Sequence, residues 1–486
     1  MTLTRRPPDR MSVRPAAPAL PTDLVWVNAR QPPRLDLLRG RVVLLHFWTY
    51  SNVNSQNVLP DLRYLENKYH DGLSVLGIHT PKFATERTET NVLKATNRHY
   101  VRHPVATDPD FACWQLYGIR AWPSLAVIDP EGRVAGIFPG EGRRGELDAL
   151  IGELLEEAAS RDARVYESHP PVTKPEPKLP LRFPGKVLVT ENMLYVCDSG
   201  HNRVLECNHD GRVLRQFGSG NPGFWDGRGV DAGFSNPQGI ALIKDYLYVA
   251  DLGNHAIRRV RLMSADVDTI AGTGTQGRAV VTDAPEPHTI PLNSPRDLAA
   301  SGERLFIATA GQNQVWVLDL ARQRIGVFAG SGKLGLTDGV GGAAQFAQPS
   351  GLATHGQVLY VADADSSSVR SVRFLDLHVK TLVGVGLYDF GDTDGLPAAV
   401  RLQYPMALAV DPGGSILWVA DTYNNKIKAL SLRGGGVRTL ALPYRFHEPT
   451  GISVGSGSLW IANTNAHEIV RIDTGSGVIR RLPVGE

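Results

Sequence analysis

One short pattern occurs six times between residues 194 and 472, and it limits the possible folds more than any other feature of this chain. Each copy reads as an apolar strand, a tight polar turn and a second strand. The copies begin at Leu194, Leu247, Leu305, Leu359, Leu417 and Leu459. A further strand is predicted before and after each copy. Four short strands repeated six times predict an all-β, six-bladed propeller, because radial repetition leaves few exposed sheet edges.

The spacing of the repeats predicts where the propeller carries insertions. Successive leading leucines are 53, 58, 54, 58 and 42 residues apart, so the first four steps are longer than the last. We expect each insertion between the outer strand of one blade and the inner strand of the next, on the same face as the polar turns. Loops on a rigid scaffold usually carry binding. The candidate residues of this binding face are Trp225, Asp226, Asp251, Asp338, Asp363, Asp394 and Asp421.

Strands alternate with helices before the repeats, which is typical of an α/β layer fold. The runs "RVVLLHFW" and "LSVLGIHT" predict buried strands, and "GELDALIGELLEEAA" predicts an amphipathic helix. We expect a disordered tail over residues 1–20, an α/β domain over 21–160, a stiff proline-rich linker over 161–180 and the propeller over 181–486. The sequence contains no apolar run near the ~18 residues that a membrane span requires, so we expect a cytoplasmic protein without membrane contact.

The segment "FWTYSNVNSQNVLP" resembles the active-site segment of TlpA-like thioredoxin proteins, in which W-C-x-x-C follows a strand. Phe47, Trp48 and Pro60 match the aromatic pair and the helix proline of that motif. The two cysteine positions fall on Asn52 and Ser55. Downstream, "AWPS" matches the cis-proline segment and places Trp122 and Pro123 beside the former site. Since the chemistry requires a thiolate, the resemblance implies a thioredoxin-like fold that is redox-inactive, with a residue such as Ser51 or Asn52 simply capping the helix.

The order of the parts, a thioredoxin-like fold, a proline-rich linker and NHL-type repeats, is similar to that of the NHL repeat-containing protein 2 family. The segments "GIHTPKF", "HPVATD" and "PGEG" resemble that family's own versions. Its members typically carry C-C-I-N-C where this chain has "SNVNS", so cysteine positions fall on Ser51, Asn52 and Ser55. The resemblance implies a multidomain chain, α/β thioredoxin-like and then a six-bladed NHL propeller, that acts as a scaffold or interaction protein more than as an enzyme.

The other chemistry-bearing residues favour structural roles. The only cysteines are Cys113, Cys197 and Cys207. Counting along the hairpin places Cys197 opposite Val204, so a disulfide with Cys207 is not expected. No metal-ligand spacing accompanies the first domain's histidines, so we predict neither a metal nor another cofactor. Those histidines are His46, His79, His99 and His103.

The sequence therefore favours a non-catalytic protein that holds a protein or peptide on its propeller face. An enzyme stays open as an alternative, related to thiol-disulfide oxidoreductases or with a metal in the central channel, where Asp297 is the main polar exception among apolar inner strands. RNA binding through the basic run "IRRVRL" is a third possibility. A net charge of +2 speaks against nucleic acid. For Asp251, Asp363 and Asp421, accepting N–H bonds in their turns is the simpler interpretation.

Overall fold

The computed structural model describes residues 14–161, 172–278, 281 and 283–485, and the chain divides into two compact units, residues 1–177 and 178–486. The first unit contains a six-stranded sheet in the order β1-β4-β3-β2-β5-β6. Strand β3 lies parallel to β2 and β4, whereas β1, β5 and β6 run antiparallel to their neighbours. The strands are β1 (Val25–Val27), β2 (Val42–Trp48), β3 (Leu73–His79), β4 (Val105–Thr107), β5 (Ser124–Ile128) and β6 (Val134–Pro139).

Helices cover this sheet on both faces, as expected for a thioredoxin-like fold. Because side chains alternate along β2, Val43, Leu45 and Phe47 share one core cluster with Cys113 and Tyr117. On the other side, α1 packs against β3 and α4. The helices are α1 (Val53–Lys68), α2 (Glu89–Arg98), α3 (Ala112–Leu116) and α4 (Arg144–Ser160), with short 3-10 turns at Leu35–Leu38 and Ala84–Arg87. No described helix is long and apolar enough to cross a membrane.

The borders of the first unit differ from the sequence expectation. Residues 15–17, placed in the tail, pair with the β5–β6 turn: Val134 N–H donates to the Pro15 carbonyl at 2.8 Å and Ala17 N–H to that of Gly132 at 2.9 Å. The described part of the linker contacts the first unit, since the Lys94 ammonium on α2 lies 3.1 Å from the Glu176 carboxylate. Both segments gain backbone and charged partners that local composition does not reveal. Residues 1–13 and 162–171 of the expected tail and linker lie outside the described residues.

The second unit is the six-bladed propeller that the repeats predict, each blade folding from consecutive sequence. The inner strands are Val187–Val189, Pro237–Ile243, Pro295–Ser301, Pro349–His355, Ala407–Val410 and Pro449–Gly455. The second strands are Leu194–Asp198, Tyr246–Asp251, Arg304–Thr309, Val358–Asp363, Ile416–Asp421 and Ser458–Asn463. The third strands are Arg203–Cys207, Ala256–Arg261, Gln314–Asp319, Ser368–Arg373, Lys426–Ser431 and Glu468–Asp473. The outer strands are Val213–Phe217, Asp266–Ala271, Arg324–Ala329, His378–Val383, Val437–Thr439 and Ile479–Leu482.

Three blades exceed the expected four strands. In blades 2, 3 and 4 the insertion that precedes the blade adds a two-residue strand beside its outer strand: Gly227–Arg228, Ala284–Pro285 and Gly339–Val340. The insertions therefore belong to the sheets as well as to the face.

Ring closure joins blade 1 to blade 6. The first blade completes its four strands from its own sequence, as expected, and shares an apolar cluster with blade 6 that includes Val187 and Trp460. Backbone hydrogen bonds also contribute to the closure. Val213 N–H donates to the Gly485 carbonyl at 2.7 Å, and Gly485 N–H donates to that of Gly211 at 3.1 Å. Two backbone hydrogen bonds therefore add to the side-chain packing at the closure.

Candidate functional site

The former thioredoxin site is a capped helix start. Asn52 is the N-cap of α1, and its side-chain oxygen accepts the Ser55 N–H at 2.9 Å. Of the two residues that the sequence offered as caps, Asn52 therefore has this role. Ser55 is fully buried, and its hydroxyl has no partner among the described residues. The arrangement satisfies a free backbone donor and places no thiol at the two cysteine positions of the motif.

A buried carboxylate that sequence reasoning missed holds the loop before α1. Glu86 is fully buried and accepts the Thr49 hydroxyl at 2.6 Å and the Ser51 N–H at 3.0 Å. It also accepts the backbone N–H groups of Lys82 and Phe83, each at 2.8 Å. Burial raises the pKa of this carboxyl, and the hydrogen bonds oppose that shift. Glu86 is therefore occupied in positioning the loop, and no spacing in the sequence pointed to it.

Aromatic side chains surround the cis-proline. The Trp122–Pro123 bond is cis, as the family segment predicted. The half-buried Trp122 ring lies 4.7 Å from that of Trp114 and 6.3 Å from that of Phe111. Cys113 nearby is fully buried, and burial raises the pKa of its thiol to about 12, so it does not form a thiolate near neutral pH. The surface beside Pro123 is a partly exposed aromatic patch without a reactive group.

The four histidines that the sequence singled out in the first domain differ in their surroundings. His46 is fully buried, stacks on Trp48 at 5.6 Å, and neither ring nitrogen has a partner among the described residues. His79 accepts the Tyr50 N–H at 3.3 Å, and His103 lies 3.2 Å from Glu66. His99 ends α2. Among the described residues, no group of three or more His, Cys, Asp or Glu side chains is placed to hold a metal ion.

The propeller face is built on a buried cation that the sequence reasoning did not identify. In blade 2, the Arg258 side chain is fully buried and donates to Asp251 of the second strand at 3.1 Å and to Asp226 of the insertion at 2.9 Å. It also donates to the carbonyls of Gly233 and Trp225 at 2.6 and 2.8 Å. One guanidinium therefore fastens the insertion to the blade beneath it.

The same arrangement, a buried cation between a second-strand carboxylate and an insertion carboxylate, occurs in blades 4 and 5. Arg370 donates to Asp338 at 2.7 Å and lies 3.6 Å from Asp363. Lys428 lies 3.0 Å from Asp394 and 3.5 Å from Asp421. All of these cations are fully buried. Two sequence features mark this arrangement in blades 2, 4 and 5. Each of their insertions contains an Asp-Gly pair, and each of their third strands has Arg or Lys at its third position.

The structure separates the seven predicted face residues into two groups. Asp251, Asp363 and Asp421 are fully buried under the insertions, and burial raises the pKa of their carboxyls to about 6, 6 and 7. Each accepts a backbone N–H of the preceding crossing, from Ser235, Ala347 and Gln403 respectively, at 2.7 Å. Trp225, Asp226, Asp338 and Asp394 are partly exposed on the insertions. The first group supports the face and cannot touch a ligand, whereas the second group lies on it.

The central channel holds an internal ion pair. Lys186 of blade 1 donates to Asp297 of blade 3 at 3.0 Å, to the Ser350 carbonyl of blade 4 at 3.1 Å and to the Met406 carbonyl of blade 5. Both side chains are nearly fully buried. Burial lowers the pKa of the ammonium and raises the pKa of the carboxyl, and their attraction opposes both shifts. Asp297, the residue singled out for a channel metal, therefore binds a cation of its own chain.

The basic run "IRRVRL" is not a free positive stripe. Arg258 is the buried cation of blade 2, Arg259 lies 2.5 Å from Asp268, and Arg261 lies 3.4 Å from Asp266. The predicted cysteine geometry is confirmed: Cys197 lies opposite Val204, and all three cysteines are unpaired and buried.

Among the comparisons with known proteins, a family model matches part of the first unit and a full-length relative matches most of the chain. Residues 40–134 match a family model described as thioredoxin-like. Human NHL repeat-containing protein 2 is 33% identical over 528 residues, covering 96% of this chain and 72% of the human protein. The chain belongs to the NHL repeat-containing protein 2 family.

Two further relatives share part or most of this architecture. The Arabidopsis thaliana protein SUPPRESSOR OF QUENCHING 1, chloroplastic, is 36% identical over 497 residues, which covers 95% of this chain and 47% of the plant protein. Thiol-disulfide oxidoreductase YkuV of Bacillus subtilis is 23% identical over 147 residues, covering 30% of this chain and 99% of that protein. This member of the NHL repeat-containing protein 2 family carries Asn52 and Ser55 where the thioredoxin motif has its cysteines.

Proposed function

We propose that this chain is a non-catalytic interaction protein whose propeller face binds a protein or peptide. The observation that carries the proposal is a set of exposed apolar side chains on insertions that buried cations hold in place. Exposed apolar residues clustered on one face mark interaction sites. They are Phe224, Trp225, Leu334, Val385 and Tyr388.

Rigid loops favour this role. Arg258, Arg370 and Lys428 tie insertions to their blades, so little conformational freedom is lost when a partner binds. The aromatic patch beside Pro123 would hold an extended chain without reducing it, because Asn52 and Ser55 supply no thiolate. The cytoplasm is the compartment we propose, since three free and buried thiols suit a reducing environment.

Negative charge placed on the propeller face that carries the insertions, here called the insertion face, should strongly weaken partner capture. We expect the double variant Leu334→Asp with Val385→Asp to recover at least about tenfold less partner from lysate than the unaltered chain, because interface anchors each contribute about 2 kcal/mol or more. Both side chains are exposed, each at 49%, so the fold tolerates the change. The measurement is quantitative affinity capture with the intact chain.

The matched control places the same charges on the opposite face. Met263 and Leu375 lie in turns between third and outer strands and are 84% and 95% exposed. Met263→Asp with Leu375→Asp should capture partners normally. Equal capture by the insertion-face variant, or equal loss in the control, would contradict the proposed face.

A further inference from the structure

Five of the six propeller blades cover the start of their outer strand with another chain segment. In blades 2, 3 and 4 the short insertion strands do this, with Gly227 opposite Val267, Ala284 opposite Ile325 and Gly339 opposite Val379. In blade 5 the insertion provides a single bridge, Gly395 to Val437. Blade 1 uses the end of the described chain, where Gly485 bridges Arg212 in parallel.

The register of the blades identifies the equivalent residues in blade 6. Val267 lies opposite Val260 of its third strand, and Ile479 lies opposite Ile472 in the same relation. Ile479, with Val478 before it, therefore occupies the position that is covered in the other blades. Its strand is the last of the blade 6 sheet, and no described strand lies beyond it. The short crossing from blade 5, the 42-residue step of the sequence, brings no insertion to cover it.

A cavity lies along this open edge. Its volume is about 450 Å³, and it is lined by Pro443, Tyr444, Gly477, Val478, Ile479 and Arg481. Val478 is half exposed, and its carbonyl accepts the Asp473 N–H at 2.9 Å inside the sheet. Because successive residues of a strand direct their peptide groups to opposite sides, the N–H and C=O of Ile479 face the open edge. An uncovered edge of this kind is a template for an added strand.

Charge identifies the kind of strand that fits. Arg481 lines the cavity, and the exposed side chains of Arg445 and Arg480 belong to residues next to its lining residues in the chain. The carboxylate of Glu468 accepts from the Tyr444 hydroxyl and, at 2.7 Å, from the Asn463 amide, and it lies 3.4 Å from Arg481. Arg445 and Arg480 therefore supply the positive charge that Glu468 does not balance. The edge therefore presents free backbone groups, an apolar side chain and excess positive charge.

We propose that the blade 6 edge binds an acidic, extended peptide segment of a partner protein by β-strand addition at Ile479. Backbone hydrogen bonds give such a site its affinity, and alternate side chains give its specificity. The acidic side chains of the peptide lie on the face of the sheet that carries Arg480, and the alternate apolar ones lie on the other face, in the cavity beside Ile479. This site is separate from the insertion face and does not depend on it.

The test uses the intact chain and a fluorescein-labelled peptide, GSEVEVDVSG, in fluorescence anisotropy. We expect saturable binding that Arg480→Glu weakens at least about tenfold. The matched control is Arg438→Glu, because Arg438 is exposed at the equivalent position of blade 5, where the edge is covered. That variant should bind the peptide as the unaltered chain does.

A second probe isolates the backbone contacts. The same peptide with N-methyl groups on alternate amides keeps its charges but cannot complete a ladder, so its binding should be lost, and the plain peptide should slow amide exchange at Ile479. No binding of the plain peptide, undiminished binding of the methylated one, or equal weakening by Arg480→Glu and Arg438→Glu would overturn the proposal. Unchanged thermal unfolding of both variants shows that their folds are intact.

Discussion

Replacing Lys186 by Met should lower the free energy of unfolding of the propeller by about 3–5 kcal/mol, because it leaves a buried carboxylate without its counter-ion. Asp297 would retain only the N–H groups of Leu298 and Leu352, both at 2.9 Å. The carbonyls of Ser350 and Met406 would also lose their donor. Differential scanning calorimetry of the intact chain measures the loss as a lower midpoint of the propeller transition.

The pH dependence of the variant gives a second sign of the same effect. Without the ammonium, burial raises the pKa of Asp297 further, so its protonated form is favoured in the folded state. A raised carboxyl pKa supports folding at low pH and opposes it as pH rises, so the deficit should be smaller at pH 5 than at pH 8. Lys244→Met removes an exposed pair with Glu303 and should change nothing measurable. An unchanged midpoint for Lys186→Met would mean that the channel pair does not hold the blades together.

Acid should unfold the thioredoxin-like unit through two buried imidazoles. Burial lowers the pKa of His79 to about 3 and lowers that of His46 well below its ordinary value of 6.5. Both must be neutral in the folded state but accept protons in the unfolded chain. The contribution of each imidazole to the free energy of unfolding is therefore fully present above about pH 6.5. Below that pH it falls by up to about 1.4 kcal/mol per pH unit for each imidazole. The raised pKa of Glu86 acts in the opposite direction, so a variant is needed to isolate the effect.

His46→Leu provides that variant. The imidazole makes no hydrogen bond among the described residues, so an apolar replacement leaves no partner unsatisfied. We expect its thermal midpoint to fall about half as steeply between pH 6.5 and pH 4.5 as that of the unaltered unit. The control is His70→Leu, since the His70 side chain is 72% exposed. Identical pH slopes for the unaltered chain and His46→Leu would show that His46 does not set the acid limit.

Local and repeated patterns predicted most of the fold. The repeats predicted six blades, the hairpin count placed Cys197 opposite Val204, and "AWPS" predicted the cis bond at Pro123. These features depend on residues that are close in sequence or on a pattern that recurs. Asn52 could be suggested as a cap for the same reason.

What the sequence did not reveal depends on distant residues. Asp297 was recognised as unusual, but its partner Lys186 lies 111 positions earlier, and only the ring brings them together. Glu86 is 35 positions from the loop that it holds. The cations of blades 2, 4 and 5 were not identified, because the insertion carboxylates that they contact are 32 to 34 positions away. The open edge of blade 6 became visible only when its register was compared with the other blades.

The proposal that this thioredoxin-like fold binds partners without redox chemistry can be tested by the reduction of insulin disulfides with dithiothreitol as electron donor. The positive control is the double variant Asn52→Cys with Ser55→Cys, whose residues lie at the start of α1 three positions apart. A thiol at a helix start has a pKa below the ordinary value of about 8.5, so the restored pair should accelerate reduction. We expect no acceleration by the unaltered chain at any pH and clear acceleration by the variant. Turnover by the unaltered chain would contradict the proposal.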